Sequence, residues 1–220
     1  MRHGWLLGLA VAVCLSVGLG QGVSVGLGQA PPPALGQAGA GGPTGVVGTA
    51  KSQPKPKEPV MGVVVNLDGL KSETPGNWIV EKPANRLRSH QFRLPAVGED
   101  TADAELAILP NVQGTAEQNI QRWKETFVPP SGKTLKEVSK VEKFTTVGKA
   151  SAVMLDVHGT YLYKDRPFDP TAKVDVRPGY RMLTVILETK ENIHQIRLTG
   201  PYKTVERYKK SFEDWVRAFQ

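Results

Sequence analysis

The segment RMLTVILETKENIHQIRLTGPYKTVERYKKSFEDWVRAF, residues 181–219, holds two β-branched apolar runs, a short polar interval and an amphipathic tail. RMLTVILE (181–188) and IHQIRLT (193–199) are strand-length, and Thr189–Asn192 between them is a hairpin-length connection whose Asn tolerates a left-handed turn. Gly200-Pro201 stops the second strand and puts a proline in the first turn of the next element. From there Val205, Tyr208, Phe212, Trp215 and Phe219 recur by threes and fours, the spacing of one helix face. Away from that face, Glu206 with Lys210 and Glu213 with Arg217 stand i, i+4 in the favourable order of a solvated surface. A helix with so apolar a stripe needs a sheet to cover, so the hairpin and helix together predict an α+β domain.

The chain upstream supplies the rest of that sheet. Residues 150–163 alternate, with Val153, Leu155, Val157 and Tyr161 on one side and Met154, Asp156, His158 and Thr160 on the other. The second half of LKEVSKVEKF (135–144) reads as an edge strand guarded by lysines. LRSHQFRLP (87–95) and AELAILP (104–110) are strand-like runs stopped by prolines; Val60–Asn66 and Trp78–Val80 are shorter runs separated by the turn-rich LDGLKSETPGN. Thr115 and Gln118 form a capping box, so a helix starts there, with Ile120, Trp123 and Phe127 as its apolar stripe and Pro129-Pro130 as its end. The sum is α+β: two helices covering a mostly antiparallel sheet of about six or seven strands, built from residues 60–220 as a single domain.

The segment before the domain is of another kind. Residues 1–30 carry a basic start (Arg2, His3), an apolar run from Trp5 to Val17 and then small residues, the layout of a secretory signal peptide with cleavage expected between about 20 and 30. That run is shorter than the ~20 residues a spanning helix needs, so no transmembrane helix is expected in the mature chain. Residues 31–59 contain seven Pro and six Gly and read as a disordered tether. Cys14, the one cysteine, stands where a lipoprotein would be acylated, although the Val13 before it departs from that motif; cleavage without acylation leaves no thiol and no disulfide. Of the net charge of +7, the first 59 residues carry +3 (four basic, one acidic) and the domain +4 (24 basic, 20 acidic). With no basic stripe interleaved with aromatics, nucleic acid is not an expected partner.

Candidate sites are few. Asn119 and Arg122 flank the buried side of the first helix, where such residues either hydrogen-bond a neighbouring loop or, as an arginine beside Trp123, clamp an anion. Asp156 and His158 share a strand face, an arrangement open to acid–base work or to a histidine satisfied locally; His194 is expected on a non-adjacent strand and His90 alone, so no metal set forms. The long connection KDRPFDPTAKVDVRPG (164–179) offers Arg166, Phe168, Lys173 and Arg177 as a protein-binding surface, or is a solvated insert. No nucleophile elbow, phosphate loop or HExxH is present, and neither catalytic residues nor a cofactor are expected.

The set Trp78, Pro83, Arg88, Phe92–Pro95, Ala104–Leu106, Asn119–Trp123, Phe127, Gly159–Tyr161, Tyr180–Leu183, Ile186–Glu188 and Gly200-Pro201 with Thr204 and Val205 resembles uncharacterised exported bacterial proteins. Their fold is similar to the PsbP-like α/β sandwich, named for an extrinsic subunit of the photosynthetic oxygen-evolving complex. The resemblance implies the fold and a non-catalytic role, and it supplies no catalytic residues. The expectation is an exported binding or accessory module of the cell envelope, serving an envelope protein or small ligand. Two alternatives stand: a carrier of an apolar or amphipathic ligand held between helix and sheet near Trp123, Trp215, Phe212 and Met154, and a hydrolytic or metal-dependent enzyme needing Asp156, His158 or Arg122 to converge.

Overall fold

A computed structural model describes residues 61–166, 169 and 171–220; the segments expected to be a signal peptide (1–30) and a tether (31–59), with Cys14, lie outside the described residues. In chain order the elements are β1 (Val64–Leu67), β2 (Leu70–Glu73), β3 (Ile79–Glu81), β4 (His90–Leu94), β5 (Ala104–Leu109), α1 (Ala116–Lys124) and β6 (Phe127–Val128). They continue as β7 (Ser139–Thr145), β8 (Ser151–Tyr163), β9 (Asp175–Glu188), β10 (Ile193–Pro201) and α2 (Tyr202–Arg217). Eight strands form one sheet in the order β3-β4-β5-β10-β9-β8, with β6 and β7 both paired to β8 at its edge, and every pairing is antiparallel. The fold is therefore the α+β sheet covered by helices that the patterning predicts. Short β3 and two-residue β6 bring the strand count above seven, and β1 and β2 form a separate hairpin.

Alternation gives the sheet two differently used faces. On one, Phe92, Leu106, Met154, Leu183 and Ile196 meet the α2 stripe and Val65 and Leu67 of the β1–β2 hairpin. On the other, Leu155, Val157, Met182 and Ile186 meet Ala116 and Ile120 of α1. The α2 stripe is buried as its spacing predicts. Its charged flank behaves differently from the expected solvated pairs: Glu206 binds Arg181 of β9 and Arg217 binds Glu142 of β7, so these charges fasten the helix to the sheet.

Four local expectations change. Asp68 and Gly69 have φ of 50° and 93°, so the stretch read as turn-rich is a hairpin closed by two left-handed residues, as an Asp-Gly pair favours. Helix α1 ends at Lys124, and Phe127 instead pairs with Tyr161 in β6 and stacks on its ring at 5.0 Å. The Thr189–Asn192 turn is closed by the Thr189 hydroxyl, which accepts the Asn192 N–H at 2.9 Å, without a left-handed Asn. Finally, β9 begins at Asp175, so the expected 164–179 loop is the shorter stretch 164–174.

That last extension survives a proline because of a bulge. Gly159 pairs with Tyr180 and Tyr161 with Arg177, so Pro178 and Gly179 together face Thr160. Gly179 takes φ of 68°, and Pro178 occupies a place where its missing N–H costs nothing to the ladder. Across from it Gly159 has φ of 151°, and a Cβ there would collide with the Val128 carbonyl of β6. Gly159→Ala is expected to cost roughly 1–3 kcal/mol of stability, measured by urea unfolding; an unchanged midpoint would show that the close approach of β6 is not needed.

Candidate functional site

The face carrying α1 is apolar over much of β8 and β9 but polar along β4, through Gln91 and Arg93, and along β10. Gln195, Arg197 and Thr199 alternate along that side of β10; Arg197 stands between Ala107 of β5 and Thr184 of β9, and Thr199 beside Glu105. Near the bulge these residues open into a cleft of about 180 Å³. Arg197, Thr199, Tyr161, Tyr163, Tyr180 and Arg177 line it, with Glu105 and Asp103 at its side.

Arg197 is the unusual member. It is only 8% exposed, and its guanidinium lies over the Trp123 ring, 4.5 Å from the centroid. It makes no ion pair and no side-chain hydrogen bond among the described residues, whereas the nearby Gln195 amide is satisfied by the Thr184 hydroxyl at 3.1 Å. Taking a charge out of water without a partner is costly. The carboxylates of the cleft do not supply one. Glu105 is turned to Arg88 at 2.8 Å, and Asp103 to Arg93 at 2.9 Å. The Arg93 hydrogen bond, helped by the Ala96 N–H, holds the Asp103 carboxyl below its ordinary range. Arg177 is matched by Asp175 at 2.8 Å and lies 4.1 Å above the Tyr163 ring.

The rest of the lining is aromatic with polar tips. Tyr161 and Tyr180 are nearly parallel with centroids 6.3 Å apart, and Tyr163 tilts against Tyr161 at 6.0 Å. None of the three hydroxyls is hydrogen-bonded to another described residue, and Thr199 Oγ1 is buried without a partner. Burial pushes the Tyr161 hydroxyl above its ordinary pKa against the pull of Arg197, so it stays a neutral donor. The cleft thus combines one uncompensated cation, several free hydroxyls and flat apolar walls.

Of the residues expected from the sequence, only Arg177 lines this cleft. Asn119 is fully buried and its amide caps the loop before α1, donating to the carbonyls of Gln113 at 3.0 Å and Thr115 at 2.9 Å. Arg122 is exposed and donates to the Asn119 side-chain Oδ1 at 3.4 Å. Arg166 is exposed and paired with Asp169 at 2.7 Å, Lys173 is exposed, and Phe168 lies outside the described residues. Asp156 does not orient His158: its carboxylate is taken by Arg181 and Lys209, and His158 sits edge-on to Tyr202, 5.4 Å between centroids.

His194 lies two strands from His158 and is engaged elsewhere, its Nε2 2.7 Å from Asp68 at the tip of the β1–β2 hairpin. Asp68 also accepts from Thr189 and Asn192, first the Thr189 hydroxyl and then His194 lowering its pKa. This cluster staples the hairpin to the β9–β10 turn. A second depression of about 610 Å³, between residues 111–117 and 188–193, contains no buried charged side chain. Among the described residues no group of three His, Cys, Asp or Glu side chains is placed to hold a metal, and no helix is long and apolar enough to cross a membrane.

No protein-family model and no curated protein matches the chain. Among solved structures it is similar to cyanobacterial PsbP from Synechocystis, at 13% identity and a TM-score of 0.43, with 77% of this chain and 98% of that one covered. It is also similar to a Pseudomonas aeruginosa protein of unknown function, at 15% identity and a TM-score of 0.39, covering 71% and 94%. Neither likeness provides a residue-by-residue correspondence for the cleft.

Proposed function

We propose that residues 60–220 are a non-catalytic binding or accessory module of the cell envelope, exported by the segment 1–30 and tethered by 31–59, with the Arg197 cleft as the surface that recognises an anionic group. The observation that carries this is Arg197, a residue only 8% exposed, its guanidinium over the Trp123 ring and without a carboxylate while the acids lining the cleft are already engaged. The module is favoured over an apolar carrier because Phe212, Trp215 and Met154 pack on one another at 0–3% exposure, filling the space between α2 and the sheet.

Native mass spectrometry on protein recovered from the envelope of its own cells, compared with its denatured mass, tests both halves. The expected result is a chain starting between residues 21 and 31 that releases extra mass on denaturation, with Arg197→Met recovered bare. A chain beginning at Met1 and found in the cytosol would overturn the export half. Wild type recovered as bare as the variant, or a variant loaded as fully as wild type, would overturn the cleft as the recognition surface.

A further inference from the structure

We propose that the cleft takes a small carboxylic acid with a flat aromatic body, bound carboxylate-first by Arg197; this rests on the cleft being the recognition surface. Four observations converge on that class. The Arg197 guanidinium lies over the Trp123 ring, 4.5 Å from its centroid, and its planar fork suits the two oxygens of a carboxylate or a phosphate.

Charge then decides between those two. Arg177 is neutralised by Asp175, so Arg197 is the one cation of the lining without a counter-ion among the described residues. Asp103 and Glu105 are likewise paired, with Arg93 and Arg88, so the lining offers the single uncompensated charge of Arg197 and nothing to match a second negative charge on the ligand. A monoanion is matched; a phosphate dianion is not.

Size and lining define the rest of the molecule. At about 180 Å³ the cleft is smaller than the roughly 300–1,000 Å³ that encloses a drug-sized ligand. Tyr161, Tyr163 and Tyr180 offer ring faces and edges to a flat apolar body, and their hydroxyls are free to complete the hydrogen bonding of the carboxylate or of a ring substituent.

The test is calorimetric titration of the purified mature chain with benzoate, acetate, phenol and inorganic phosphate. Benzoate is expected to bind at least tenfold more tightly than each of the other three, because only it brings both the single charge and the ring. Arg197→Met should lose benzoate at least tenfold, and Arg197→Lys should fail to restore it, since an ammonium keeps the charge but not the fork. Tyr180→Leu, at the half-buried wall, should weaken benzoate severalfold while leaving acetate unchanged, and it keeps the test decisive if the Arg197 variants do not fold. Phosphate bound as tightly as benzoate, benzoate bound as well by Tyr180→Leu, or no benzoate binding by wild type at millimolar concentration would each overturn the proposal. Were native mass spectrometry to show an Arg197-dependent mass while benzoate fails to bind, the recognition surface would stand and the ligand class would fall.

Discussion

Asp156→Ala is expected to lower the unfolding free energy by about 3 kcal/mol, the low end of the roughly 3–5 kcal/mol lost when one partner of a buried ion pair is removed. Asp156 Oδ1 accepts from Arg181 Nε at 2.7 Å, and Oδ2 from both Arg181 Nη2 and Lys209 Nζ at 2.6 Å. The Asp156 and Arg181 side chains are only 12% and 8% exposed, so deleting the carboxylate leaves two poorly solvated cations. Glu206 remains beside Arg181, and Glu213 remains 3.0 Å from Lys209, which keeps the loss at the lower end. The double variant Asp156→Leu/Arg181→Met should cost less than the single changes Asp156→Leu and Arg181→Met added, because the buried Arg181 guanidinium is then not stranded and Lys209 keeps Glu213. Urea unfolding of the four proteins checks this, and strict additivity would show that the pair is not coupled.

The same group sets an acid limit. Burial, the largest influence on Asp156, would raise its pKa, but the hydrogen bonds and charges of Arg181 and Lys209 together outweigh it and hold the carboxyl below its ordinary value of 3.8. A carboxyl whose folded pKa is depressed contributes stability above its unfolded value and loses it as pH falls through the folded one. Wild type should therefore lose stability below about pH 4 more steeply than Asp156→Asn, which has no proton to take up there. Parallel acid titrations of the two would contradict the assignment.

What the sequence discloses here depends on whether the signal is local. Thr115 and Gln118 announce the α1 start three residues apart, and both hydrogen bonds of the capping box form. The α2 stripe is equally legible, because threes and fours along one segment decide which side meets the sheet. Lys140 and Lys143 mark β7 as the edge strand it is. Where a tertiary partner overrides local preference, legibility fails: Pro178 reads as a strand stop until the two-for-one bulge against Thr160 is known. The cleft is the extreme case. Its residues come from β5 and Asp103 just before it, β8, β9 and β10, and span Asp103 to Thr199, so no spacing in the chain records their meeting. One clue was present in IHQIRLT, where Gln195, Arg197 and Thr199 alternate with apolar residues. Such a polar side is unexpected on a strand with a neighbour at each edge, and it marks the one side of β10 whose buried residues are polar.

Trp215→Ala is the second large effect, a loss of about 3–5 kcal/mol in line with truncation of a buried aromatic residue. Trp215 is 3% exposed and meets Trp78 at 5.1 Å, Phe219 at 5.2 Å and Phe212 at 6.3 Å between ring centroids, so alanine would leave a cavity walled by three large rings. Trp215→Phe should cost less than half as much. The Trp215 Nε1 is buried without a hydrogen-bond partner, so phenylalanine gives up apolar contact but no hydrogen bond, and it removes a polar group whose burial was itself unfavourable. Urea midpoints separate the cases, and a phenylalanine variant as unstable as the alanine one would mean that ring shape at this position outweighs the unpartnered N–H. Because α2 and the cleft occupy opposite faces of the sheet, Trp215→Phe should also leave Arg197-dependent binding unchanged. A change in that binding would show that the packed core between the faces transmits strain to the cleft.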